Sequence, residues 1–75
     1  MHMPLKNHLK EYRAKKNINQ QELGSMVNAS RQTISLIERG DYSPSVTLAL
    51  KIAGYFGVQV EDIFEYEEGE EKENE

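Results

Sequence analysis

Between Gln20 and Gly40 the chain reads QQELGSMVNASRQTISLIERG, two short helical patterns separated by only three residues, Asn28-Ala29-Ser30. No other feature constrains the fold as much. One longer helix would be simpler to form, so a stop followed at once by a restart redirects the chain. Asparagine is among the few residues that tolerate a left-handed backbone, which ends a helix. Serine is a preferred N-cap, because its side-chain oxygen accepts hydrogen bonds from free amides of the first turn. The break is therefore encoded twice, with the small apolar Ala29 between stop and start.

The flanking segments read as helices too. Leu5, Leu9 and Tyr12 recur at helical spacing, which predicts a first helix from about Leu5 to Lys16. Lys15 and Lys16 suit the negative end of its dipole. Asn17 ends it, and Ile18 turns inward. Asn19-Gln20-Gln21-Glu22 has the form of a capping box, in which Asn19 caps and Glu22 reaches back to its amide. The helix it opens carries Leu23 and Val27 on one face. Gly24 inside that helix costs roughly 1 kcal/mol against alanine, and close approach of a neighbouring helix is the expected compensation. A third helix runs from Arg31 to about Arg39, with Gly40 as its terminator. Ser45 caps a fourth, Val46 to Phe56, whose expected buried stripe is Val46, Ala49, Ile52, Ala53 and Phe56. Gly57 stops it, Val58 packs inward, and a short fifth helix spans about Val60 to Phe64.

The expected fold is all-α: a compact five-helix domain over residues 5–64, preceded by an arm of residues 1–4. The one β element allowed for is a short terminal hairpin, residues 64–68 pairing with residues 1–4. Seventy-five residues make a single domain. Domains this small often gain stability from disulfides, metals or self-association. With no cysteine, and with His2 and His8 as the only histidines, disulfides and metal sites drop out and self-association remains. No apolar run approaches the roughly 20 residues that span a membrane, and no signal peptide is expected. A cysteine-free chain of this kind fits the cytoplasm.

The net charge of −4 is unevenly spread. Residues 1–64 hold eight Lys/Arg against six Asp/Glu, whereas residues 65–75 hold seven Glu and one Lys. The body is mildly basic. The acidic tail cannot bury enough apolar surface to order itself and is expected to be disordered and solubilising. Catalysis is not expected: no serine–histidine–acid arrangement, phosphate loop or carboxylate pair stands at useful spacing. No cofactor and no small-molecule ligand is implied.

On a wheel of 100° per residue, Ile34 and Ile37 point the third helix inward. Gln32, Leu36 and Arg39 then face outward, Ser35 with them, and Arg31 lies on the flank near the amino end. Arginine suits the guanine edge and glutamine the adenine edge, while an exposed leucine can touch a thymine methyl. Two helices joined by a tight turn form a helix-turn-helix, in which the first crosses the phosphate backbone and the second enters the major groove.

Five stretches carry a family resemblance: Asn19-Gln20-Gln21-Glu22-Leu23, Asn28-Ala29-Ser30-Arg31-Gln32-Thr33-Ile34, Ile37-Glu38-Arg39-Gly40, Ser43-Pro44-Ser45 and Leu50-Lys51-Ile52-Ala53. Together, over about residues 5–64, the chain resembles the Cro/CI-type (XRE, phage-repressor-like) DNA-binding domains, and most of all the short stand-alone regulators of the cytolysin-repressor type. The wheel adds Ser35 to the expected readers, and the resemblance implies base reading by Arg31 and Gln32, with Ser30, Thr33 and Leu36 beside them. It implies backbone contacts at Gln20, Ser30, Thr33 and Arg39, and a structural acid, Glu38, bracing Arg13 of the first helix. The chain departs from the family pattern at Gly24, where alanine is usual, at Asn28 and Ala29 in the turn, at Leu36 among the readers, and at Gln59, where a stronger cap is common.

One helix in one groove reads few bases, whereas two copies on a twofold axis double the readout with half-sites one helical turn apart, about 34 Å. Val60, Phe64 and Tyr66 are the expected self-association residues. The expected function is a dimeric transcriptional repressor reading a pseudo-palindromic operator on double-stranded DNA. The alternative is a protein-binding adaptor or antitoxin gripping a partner with the same helices. The outward face of the third helix discriminates: a DNA reader keeps Arg31, Gln32 and Arg39 free, and an adaptor buries them.

Overall fold

The computed structural model describes residues 5–67. Within them the order is β1 (Leu5–Asn7), α1 (Leu9–Lys16), α2 (Gln20–Val27), α3 (Arg31–Arg39), α4 (Val46–Phe56), α5 (Val60–Ile63) and β2 (Phe64–Tyr66). The five expected helices are present. The strands pair antiparallel in the register Leu5↔Tyr66, Lys6↔Glu65 and Asn7↔Phe64.

Two boundaries differ from the sequence reading. The first helix begins at Leu9, because Leu5–Asn7 is drawn into the hairpin instead. Asn7 then caps α1 from outside: its Oδ1 accepts from the Leu9 amide at 3.0 Å, and its Nδ2 donates to the Ile37 carbonyl at 2.9 Å. The hairpin therefore exists, but its first strand is residues 5–7 rather than 1–4, and the fifth helix stops at Ile63 so that Phe64 can begin β2. Residues 1–4 and 68–75 lie outside the described residues, and with them the arm and most of the acidic tail. Glu65 and Tyr66, assigned to that tail, lie in β2.

Four helices end in left-handed residues: Asn17 (φ 58°), Asn28 (φ 62°), Gly40 (φ 82°) and Gly57 (φ 71°). Three helix starts are capped as the sequence indicates, with Asn19, Ser30 and Ser45 side chains accepting from the Glu22, Thr33 and Leu48 amides. The Asn19 box is complete, since Glu22 Oε1 accepts from the Asn19 amide at 2.8 Å. At α5, Asp62 makes up for the weak cap, its carboxylate accepting from the Gln59 amide at 2.9 Å.

The core is one cluster: Leu9, Leu23, Val27, Ile34, Ile37, Ile52, Ala53, Ile63 and Phe64. Each fully buried aliphatic side chain contributes about 1.5–3 kcal/mol, which is what holds such short helices in place. Phe56 lies at the edge of this cluster against Tyr12 and Tyr55, with ring centroids 5.7 and 5.1 Å away. Val46 departs from the expected stripe and is 76 % exposed. It is the first residue of α4, off the Ile52 side, where nothing covers it.

Candidate nucleic-acid interface

The α2–α3 corner is fixed by four local devices. Asn28 turns the backbone left-handed. The Ala29 amide donates to the Gly24 carbonyl at 2.8 Å. Ser30 Oγ accepts from the Thr33 amide at 3.0 Å and lies 2.9 Å from the Thr33 hydroxyl. Gly24 lets the turn fold back, because a Cβ there would collide with the Ala29 carbonyl oxygen. The close approach inferred from the sequence is real, but its partner is the backbone of the turn rather than a neighbouring helix.

A half-buried ion pair braces the corner from behind. Arg13 Nε and Nη2 donate to the two carboxylate oxygens of Glu38 at 2.7 and 3.1 Å, and Nη1 donates to the Ile18 carbonyl at 3.0 Å. The side chains are only 15 % and 6 % exposed. The hydrogen bond to Glu38 raises the Arg13 pKa above the ordinary arginine value, against the opposing effect of burial. Gln20 joins this cluster, its Nε2 donating to Glu38 Oε1 at 3.1 Å. Thus α1, the start of α2 and the end of α3 are tied through one carboxylate.

Held in this way, α3 presents two unlike sides. Ile34 and Ile37 are buried, while Arg31, Gln32 and Arg39 are exposed. Ser35 and Leu36, read as fully outward, are half-buried, yet Leu36 is not among the side chains packed on the core. Thr33 is half-buried and Ser30 exposed, their hydroxyls sharing the cap. Arg39 leans toward Asp41, its Nε donating to Oδ2 at 3.1 Å, but both side chains are more than half exposed. A surface pair of this kind contributes about 0–1 kcal/mol and opens readily.

An open polar cleft of about 430 Å³ separates the amino ends of α2 and α3 and is lined by Arg13, Asn19, Gln20, Gln21 and Arg31. It gathers amide and guanidinium donors at a helix amino terminus, chemistry suited to an anionic oxygen. Gln21 and Asn19 were not singled out from the sequence as part of this surface. Their position at the start of the helix that precedes the turn was the available signal. The expected association residues are scattered: Val60 is half-buried, Phe64 is 8 % exposed and belongs to the core of its own chain, and Tyr66 is 63 % exposed on β2.

The family model for the helix-turn-helix matches residues 9–63. An uncharacterised HTH-type transcriptional regulator of Methanocaldococcus jannaschii is 54 % identical over 66 residues, covering 88 % of this chain and 100 % of that one. Among solved structures, the restriction-modification controller protein C.AhdI of Aeromonas hydrophila superposes with a TM-score of 0.67 at 26 % identity, over 72 % of this chain and 82 % of its own. The clp gene regulator ClgR of Corynebacterium glutamicum superposes at 0.66 with 30 % identity over 72 % of this chain, which spans 57 % of the ClgR chain. The chain belongs to the helix-turn-helix family, in its Cro/CI-type branch of DNA-binding regulators.

Proposed function

We propose that the protein represses transcription as a dimer on a pseudo-palindromic operator, with α3 of each copy in the major groove. The observation that carries this reading is the two-sidedness of α3. Its apolar side is locked into the core while Arg31, Gln32 and Arg39 stand in solvent, the condition a base reader needs. In this reading Arg31 and Gln32 contact base edges, with Ser35 and Leu36 at the margin of the contact. Gln20, Ser30, Thr33 and Arg39 face the phosphates. The cleft between Gln20 and Arg31 favours the same assignment, since it sets neutral and charged donors side by side. Association at the α5–β2 end, through Val60 and Tyr66 with Phe64 beneath, supplies the twofold axis.

Affinity then comes largely from phosphates and falls steeply with added salt. Gln32→Ala relaxes base choice at one position of each half-site and costs about 1–3 kcal/mol on the cognate duplex. Quantitative binding to a set of single-base operator variants checks this. Equal weakening on every variant would remove Gln32 from the base-reading set.

A further inference from the structure

One side chain of the hairpin has a partner on α3. Asn7, the last residue of β1, is half-buried and bonded at both ends of its amide. Its Oδ1 accepts from the Leu9 amide at the start of α1, and its Nδ2 donates to the Ile37 carbonyl in the last turn of α3, 30 residues along the chain. The partners fix which end of the amide is which, because a backbone N–H only donates and a carbonyl only accepts. The platform under Asn7 is firm. Asn7 stands opposite Phe64 of the core in the hairpin register, and the next amide, His8, donates to the Ile63 carbonyl at 2.8 Å. The Ile37 carbonyl is one of those a helix leaves short of partners at its carboxyl end. It accepts from the Gly40 amide at 3.0 Å and from Asn7 at 2.9 Å.

The last turn of α3 is thus tied to the rest of the fold at two adjacent residues, Ile37 to Asn7 and Glu38 to Arg13 and Gln20. Adjacent residues stand about 100° apart around a helix axis. One tie alone acts as a pivot, whereas two at that angle resist both roll and tilt. Burial of Ile34 and Ile37 does not supply this, because the hydrophobic effect is non-directional. We infer that Asn7 is a positioning residue for base reading: it holds the carboxyl end of α3 against roll and so aims Arg31 and Gln32, about 8 Å up the axis from Ile37. The inference rests on the base-reading assignment above and gives the hairpin a part in it without contact to DNA. Only asparagine meets both demands at this reach. Aspartate keeps the acceptor and loses the donor, and serine keeps an acceptor but falls short of Ile37.

Asn7→Asp and Asn7→Ser therefore remove the tie to α3 and leave the cap on α1, whereas Asn7→Ala removes both. Each full-length variant is compared with wild type on the duplex that wild type selects from a random pool and on a shuffled duplex. Circular dichroism follows folding, and sedimentation equilibrium fixes the association state. The ratio of the two affinities is expected to fall by roughly three- to tenfold in all three variants, the range one net hydrogen bond commands. Binding to the shuffled duplex and self-association are expected to stay as in wild type. A residue acting only through stability weakens both duplexes alike, and most of all in Asn7→Ala; that pattern overturns the inference. So does an unchanged ratio in Asn7→Asp and Asn7→Ser, or a ratio that falls only in step with self-association, which places Asn7 in the dimer contact instead. The base-reading assignment fails separately, on wild type alone: if the unaltered protein selects no duplex, α3 reads nothing for Asn7 to aim, and both fall.

Discussion

The α2–α3 corner and the terminal hairpin are both small structures near the surface, yet they are built differently. At the corner the key side chains each carry a structural role. Gly24 makes room, Asn28 turns, Ser30 caps, and Glu38 holds three elements together with a side chain 6 % exposed. The hairpin has three residues per strand, and apart from the Asn7 bonds to α1 and α3 its side-chain ties lie in solvent. His8 Nε2 meets Glu65 Oε2 at 2.9 Å, and Lys6 Nζ lies 3.7 Å from Glu67. The difference follows from what each must do. In the proposed reading α3 has to be held to a fraction of an ångström, and the corner accordingly uses backbone geometry and largely shielded hydrogen bonds, which are costly to distort. The hairpin closes the domain, and there exposed charges serve.

Substitutions that strike one region and spare the other sharpen this contrast. The largest effect is expected at Glu38. Glu38→Ala leaves the half-buried Arg13 charge without its carboxylate partner and frees Gln20, at a cost of roughly 2–4 kcal/mol in urea unfolding. A loss under about 1 kcal/mol, the range of an exposed pair, would mean the corner is not braced through this carboxylate. Next is Gly24→Ala. Helix propensity alone would make alanine favourable, but its Cβ meets the Ala29 carbonyl oxygen, so a net loss of about 1–3 kcal/mol is expected by thermal unfolding. A gain in stability would show that the turn yields at little cost. Asp41→Ala breaks the exposed Arg39 pair and should change stability by no more than about 0.5 kcal/mol, while releasing Arg39 and so strengthening duplex binding at low salt.

The smallest effect belongs to the hairpin and depends on pH. The hydrogen bond from His8 lowers the Glu65 pKa, assisted by the charges of His8 and Lys6. A carboxylate whose pKa is depressed by folding stabilises the folded state above its unfolded pKa, and that contribution is lost as pH falls through the folded value. Amide exchange in Leu5–Asn7 and Phe64–Tyr66 should therefore quicken on acidification below about pH 4.3, the ordinary glutamate value, and Glu65→Gln should abolish that change. An acid response identical in the variant would assign it to other carboxylates.

The same contrast explains what could be read from the sequence. Stop and start signals are local chemistry, so Asn17, Asn28, Ser30, Ser45 and the Asn19–Glu22 box stand where they were expected. The Arg13–Glu38 pair followed from the family resemblance rather than from spacing. Leu5 and Leu9, four apart, look helical, and only pairing with a strand some sixty residues away takes Leu5 out of the helix. Such long-range competition leaves no local trace. Asn7 was overlooked for the same reason, since half of its role is a bond to the Ile37 carbonyl on α3. Val46 was assigned to the core because the stripe was drawn too wide, and Phe64 was read as an association residue although it packs on its own chain. On α3 the buried pair was legible from periodicity alone. The half-burial of Ser35 and Leu36 was not, because it depends on how the helix is seated.

The central claim is that the exposed Arg31–Gln32 side of α3 reads bases in two symmetric half-sites. Selection from a random duplex pool, run side by side with wild type and Gln32→Ala, tests it most directly. The account predicts that wild type enriches an inverted repeat with half-site centres about 10–10.5 base pairs apart. Gln32→Ala should keep that spacing but lose preference at one position in each half. No enrichment by the wild type, or an enriched sequence the substitution leaves untouched, would contradict it.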